Sequence, residues 1–143
     1  MPTLNESDYK PDFEILDRYL NFASELSRIS LLAIGGFGAI LLIKLKGENP
    51  NAGKENLHFL FISMCFFALC SGFSLFHRFF ASDSMSWYIS HLRAKSDGDE
   101  AQAKHEHIGL HKMLRRSSIF LILTEFTFGV AVCLFAIGIY KIL

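Results

Sequence analysis

The chain has 143 residues, of which 51% are hydrophobic, and its 14 basic and 14 acidic groups give a formal net charge of zero. This length allows a single domain, and the neutral charge gives no bulk attraction to nucleic acid, which we do not expect as a partner. The hydrophobic residues are concentrated in blocks that are apolar on all sides, which is typical of helices in lipid or in a buried core. The first 28 residues have no early apolar run, and we expect no cleavable signal peptide.

Residues 1–28 are predicted to form a cytoplasmic amphipathic helix. Apolar residues recur at helical spacing between positions 13 and 27, and most of the charged residues fall on the opposite side. The acidic polar face disfavours an anionic lipid surface, so we expect this helix to pack on protein. No helix-breaking residue follows it, so it continues into the next segment, either straight or with a bend near Ser27.

Three apolar blocks predict an all-α membrane protein with three transmembrane helices, at residues 29–45, 57–80 and 118–140, in a single membrane domain covering residues 1–143. The first block is short, because its fifteen fully apolar residues extend about 22 Å against a hydrocarbon core of about 30 Å. Flanking Lys and Arg side chains must therefore reach back to the headgroups. The other two blocks are long enough to cross with some tilt.

Residues 81–117 are predicted to extend the second and third spans into the cytoplasm as a helical hairpin. Asp97, Gly98 and Asp99 indicate the turn, with Asp99 as the N-cap of the returning helix. If both arms are unbroken, residue i faces roughly residue 195 − i on the other arm. Residues 82–84 are where a kink would interrupt the first arm.

The distribution of Lys and Arg predicts the orientation. The N-terminal segment and the region from Arg78 to Arg116 together carry ten of these residues, against four on the opposite side. We therefore expect the N-terminus in the cytoplasm and the C-terminus outside, with the protein integral to a plasma (inner) membrane.

Glu125 is the candidate for ion or proton handling, because ionisable residues inside a span usually face the bundle interior, a water-filled path or a partner. One Glu per subunit of an oligomer forms a carboxylate ring that selects cations. The alternative is that Glu125 joins helices by hydrogen bonding to hydroxyl groups at its level. The hydroxyl residues assigned to the same site are Thr124, Thr127, Ser71 and Ser74.

Small residues at four-residue spacing predict close helix packing, in a homo-oligomer or within one subunit. Three short spans enclose little volume, which favours a homo-oligomer. The predicted packing residues are Gly35, Ala39, Ala68, Gly72 and Gly129.

The predicted cytoplasmic helices carry residues for gating or ligand contact. His107 and His111 have a spacing that can chelate a metal from one helix face, but solvated histidines are the simpler interpretation, and we expect no metal. No catalytic motif is present, so we expect no enzymatic activity. The full gating or ligand-contact set is His91, His105, His107, His111, Arg115 and Arg116.

The leading hypothesis is a homo-oligomeric membrane channel or pore-forming protein, cation-conducting and gated through its cytoplasmic helices. The alternative is a non-catalytic membrane anchor or scaffold that recruits a soluble cytoplasmic partner. The third is a membrane redox subunit that handles haem or quinone. His58 and His77 lie nineteen residues apart on one predicted helix, about 28 Å, so they cannot share a haem iron, and we expect no cofactor.

Overall fold

The structure is a computed structural model that describes residues 10–46 and 54–142. Within these ranges the chain forms three helices and no strand: α1 (Lys10–Lys46), α2 (Lys54–Ser96) and α3 (Glu100–Ile142). The predicted all-α class is confirmed. By length and composition two of these helices, α2 and α3, are able to cross a membrane, with 18-residue windows of mean hydropathy 2.1 and 2.3.

The turn between α2 and α3 lies where the sequence predicts it. Gly98 has a φ of +77°, a left-handed conformation that favours glycine. The Asp99 amide donates to the carbonyl of Ala94 at 3.0 Å and closes the end of α2. The Asp99 carboxylate accepts a hydrogen bond from the Gln102 amide at 3.0 Å. Asp99 is therefore the N-cap of α3, as predicted.

The register of the α2–α3 hairpin follows the predicted rule along its length. Near the turn, Nδ1 of His91 lies 2.8 Å from the carbonyl oxygen of Ala103. Far from the turn, Oγ of Ser63 donates to the carbonyl of Ala131 at 2.8 Å. Both pairs sum to 194, because neither arm is interrupted. The kink considered at residues 82–84 does not occur, since α2 is continuous there.

Helix α1 is continuous through Ser27 and runs antiparallel to α2. At its N-terminal end, the Tyr88 hydroxyl donates to the Asp12 carboxylate at 2.7 Å. Further along, Oγ of Ser74 donates to the carbonyl of Ala23 at 2.6 Å. The predicted amphipathic segment therefore packs on protein, as expected.

Aromatic rings from all three helices meet in the interior of the bundle. The Phe37 ring of α1 stacks on Phe135 of α3 with centroids 3.9 Å apart, and it lies 5.9 Å from the ring of Phe67 in α2. Most of the apolar surface faces outward, since only 28% and 17% of the most apolar windows of α2 and α3 are buried.

Candidate functional site

One exposed face runs along most of α3. Its residues recur every three or four positions, so at 100° per residue they stay on one side of the helix. Most of this side points away from α2, which contacts α3 through residues such as Ser117 and Ala131, while His107 near the turn lies beside His91 of α2. We call this face the α3 stripe; its exposed residues are His107, His111, Arg115, Ser118, Ile122, Glu125, Gly129, Cys133 and Ala136.

The α3 stripe brings together predicted residues that are far apart in sequence. Glu125 lies at its middle, and Gly129 follows one turn later. His107, His111 and Arg115 lie in the half of the stripe nearer the α2–α3 turn. In the described part of the chain, no hydrogen bond or ion pair reaches the Glu125 carboxylate, which therefore faces out of the subunit.

Thr124 and Thr127 face the bundle interior instead, with 0% and 5% of their surface exposed. Each hydroxyl bonds to its own helix: Thr124 donates to the carbonyl of Phe120 at 2.8 Å, and Thr127 donates to that of Leu123 at 2.7 Å. One step along a helix rotates a side chain by about 100°, which separates the exposed Glu125 from both threonines.

Ser71 and Ser74 connect α2 to α1. The hydroxyls of Ser71 and Ser27 are 2.9 Å apart, and Ser74 bonds to the backbone of Ala23. Neither serine contacts Glu125. The predicted group of one acid and four hydroxyls is thus corrected: the hydroxyls form helix contacts, and Glu125 belongs to another surface.

Three charged residues lie within about one helical turn of each other in height around the bundle. The Phe37 ring of α1 stacks on that of Phe135 in α3 with centroids 3.9 Å apart, which places these two residues level with each other. Because α1 and α3 are parallel, Arg28, nine residues before Phe37, lies close to the height of Glu125, ten residues before Phe135. We call Glu25, Arg28 and Glu125 the charged belt; within it, Glu25 and Arg28 form an exposed ion pair at 3.7 Å.

The predicted packing residues do not mediate close approach inside the subunit. Gly35, Ala39, Ala68 and Gly129 are exposed, and Gly72 is half-buried. A Cβ atom added to any of the three glycines meets no atom within 4 Å. These small residues are therefore free to contact something outside the subunit.

The close approaches involve two glycines that the sequence analysis did not select. A Cβ on Gly109 lies only 2.7 Å from Cδ2 of Trp87, and one on Gly138 lies 3.0 Å from Leu60. The predicted register of the hairpin indicates the contact between Gly109 and Trp87, because it places Trp87 opposite residue 108.

The histidines cluster on the extension beyond the apolar windows. The rings of His91 and His107 are 5.3 Å apart, and those of His107 and His111 are 4.5 Å apart. His105 lies apart from them, beside Trp87 at 6.1 Å. Across residues 10–46 and 54–142, no group of three or more His, Cys, Asp or Glu side chains is placed to hold a metal ion.

The two arginines of the predicted gating set differ in their surroundings. Arg115 is exposed on the α3 stripe. Arg116 lies 5.7 Å from the centroid of the Phe80 ring, a cation–π contact that ties α3 to α2.

No protein family model, curated protein or solved structure matches this chain. The function must therefore be inferred from the α3 stripe, the charged belt and their surroundings.

Proposed function

We propose that this protein is a homo-oligomeric membrane channel in which each subunit crosses the membrane three times. The exposure of α2 and α3 supports a lipid environment. Core helices of soluble proteins are mostly buried, whereas here the most apolar windows have 72% and 83% of their residues outside the buried class. Large apolar side chains such as Leu75, Phe79 and Phe126 are more than half exposed, and lipid tails cover such surfaces without cost.

The position of α1 supports a third span. Its apolar stretch, residues 29–43, lies at the same heights as the apolar parts of α2 and α3, as the stacking of Phe37 on Phe135 shows. From Arg28 to Lys44 is sixteen residues, about 24 Å of helix. On α1, Glu25 and Arg28 of the charged belt then lie at the cytoplasmic boundary of the hydrocarbon. The apolar surfaces of α2 and α3 extend past this height towards the α2–α3 turn.

The observation that carries the proposal is the exposed Glu125 on the α3 stripe. Lipid tails cannot solvate a carboxylate, and an ionisable side chain inside an apolar span is costly to insert. None of the described residues of its own chain satisfies Glu125, and in the proposed channel water or a second copy does so. A water-filled path lined by the α3 stripes of several copies supplies both the water and the neighbouring copy. One Glu125 per subunit then forms a ring that favours cations.

The rest of the α3 stripe is consistent with such a path. Gly129, Cys133 and Ala136 are small, so copies of α3 can approach closely on the side away from the turn. His107, His111 and Arg115 line the cytoplasmic half, where movement of the α2–α3 hairpin gates entry. The distribution of Lys and Arg favours a plasma (inner) membrane protein whose N-terminus and α2–α3 hairpin lie on the cytoplasmic side.

The test is current through planar bilayers that contain the purified protein. In an asymmetric KCl gradient, the wild-type protein is expected to give a reversal potential of the sign that cation selectivity requires. Glu125→Gln keeps the side-chain size and removes the charge, so the reversal potential should move towards zero. Glu25→Gln is the matched control, because Glu25 lies within about one turn of the same height but on α1.

An unchanged reversal potential in Glu125→Gln, or an equal change in Glu25→Gln, contradicts the proposed path. The absence of conductance together with a stable complex with a different, soluble chain supports the scaffold alternative. In that case the exposed histidines and Arg115 of the hairpin form the recruiting surface.

A further inference from the structure

His77 of α2 is a buried residue with one nitrogen satisfied and one not. Only 2% of its surface is exposed. Nδ1 lies 3.0 Å from the carbonyl oxygen of Ser117 and 2.9 Å from its hydroxyl oxygen. Donation from Nδ1 to this carbonyl requires the tautomer with the proton on Nδ1, in which Nε2 carries the free lone pair. Nε2 is buried and has no hydrogen-bond partner among the described residues.

A buried acceptor without a donor is costly and rare in folded proteins, and each case asks for an explanation. Here the interhelical bond to Ser117 explains the position of the ring but not the empty lone pair. The other buried polar side chains of the bundle, such as Ser63 and Ser74, have partners. His77 therefore differs from the residues that merely join helices.

His77 lines a cavity of about 570 Å³ between the three helices, a size typical of small-molecule sites. The cavity begins beside Leu121, in the apolar part of α3, and ends beside Leu110, in the hairpin. Most of its wall is apolar, from residues such as Phe13, Leu16 and Met85. Its one acidic residue, Asp12, accepts the Tyr88 hydroxyl at 2.7 Å.

We propose that this cavity binds a small apolar molecule that carries a hydroxyl group, and that the hydroxyl donates to Nε2 of His77. The unpaired lone pair calls for a donor, which a hydroxyl supplies and a carbonyl does not. The apolar wall calls for an uncharged body, such as an alkylphenol or a lipid alcohol. Nε2 has almost no accessible surface of its own, so a lining side chain must shift before the hydroxyl oxygen reaches hydrogen-bonding distance, and the flexible Met85 is among the lining residues.

The test compares two probes that differ only in the donor: 4-nonylphenol and its methyl ether, 4-nonylanisole. The full-length protein, labelled with ¹⁵N at histidine, is titrated in nanodiscs, with empty nanodiscs as the blank. The phenol is expected to bind about tenfold more tightly than the ether, since it satisfies a buried acceptor. The phenol should also shift the Nε2 resonance of His77, while the ether leaves it in place.

His77→Phe removes the acceptor and keeps an aromatic ring, so it should abolish the preference for the phenol. His91→Phe is the matched control outside the cavity and should retain it. Equal affinity of the wild-type protein for both probes overturns the proposal, as does a preference that persists in His77→Phe. If His77→Phe does not fold, an Nε2 resonance of wild-type His77 that the phenol leaves unshifted overturns it as well.

Discussion

Polar residues in the apolar part of this bundle take two distinct roles. Serines and threonines turn inward and bond to backbone carbonyls or to each other, as Ser63 does with Ala131 and Ser27 with Ser71. Such bonds hold helices together where lipid gives no hydrophobic drive for association. Glu125 turns outward and has no hydrogen bond or ion pair with the described residues, and in the proposed channel it acts on the shared path.

A substitution at Gly109 tests the packing between the two arms of the hairpin. Gly109→Ala places a Cβ only 2.7 Å from Cδ2 of Trp87, and either the ring or the helix must move. Overpacking of this kind costs about 1–3 kcal/mol, so the protein in detergent should melt several degrees lower.

Gly72→Ala is the control for Gly109→Ala, because a Cβ there meets no atom within 4 Å. It should melt at or slightly above the wild-type temperature, since alanine is the better helix former. Equal melting temperatures for the two variants contradict the described contact between Gly109 and Trp87.

At this scale the sequence predicts which residues are unusual but not which way they point. Glu125 stands out in an apolar run, yet its orientation depends on which face of α3 meets α2. Contacts between helices, such as that of His77 with Ser117, set which face of α3 meets α2. The spacing of residues within α3 does not reveal these contacts. The burial of His77 depends on α1 and α3 covering it, which the sequence of α2 alone does not reveal.

The helices as elements were more predictable than their faces. The turn at Gly98 and the cap at Asp99 follow from local chemistry, and uninterrupted apolar and helix-forming residues predict two long arms. Once the turn is placed, the register of the hairpin follows from geometry alone. The extent of α1 was less certain, because its apolar part is short and charged residues follow it closely.

Whether α1 crosses the membrane can be tested by measuring on which side of the membrane each of its ends lies. In a chain with Cys65→Ala and Cys133→Ala, Asn51→Cys should react with a membrane-impermeant maleimide in right-side-out vesicles. Glu14→Cys should react only after permeabilisation, because α1 separates the two positions by a full crossing. Gln102→Cys marks the cytoplasmic side as a control. Reaction of positions 14 and 51 from the same side contradicts the third span.

As a whole, the molecule leaves two kinds of surface without a partner. Its apolar surface suits lipid, whereas the α3 stripe combines Glu125 with small residues and suits another copy of itself. In the proposed channel, assembly around the stripe gives the outward-facing charge of this three-helix chain a partner. The cavity at His77 lies between α1, α2 and α3 of one chain, and it shares Ser118 and Ile122 with the α3 stripe.

Cross-linking through the native Cys133 tests this assembly most directly. Cys133 lies on the α3 stripe, Cys65 is exposed on α2, and Cys70 is buried. Treating membranes with a short bifunctional thiol cross-linker should give linked dimers from the wild-type protein and from Cys65→Ala, but none from Cys133→Ala. Monomers alone from the wild-type protein, or dimers that persist in Cys133→Ala and vanish in Cys65→Ala, contradict an interface built on the α3 stripe.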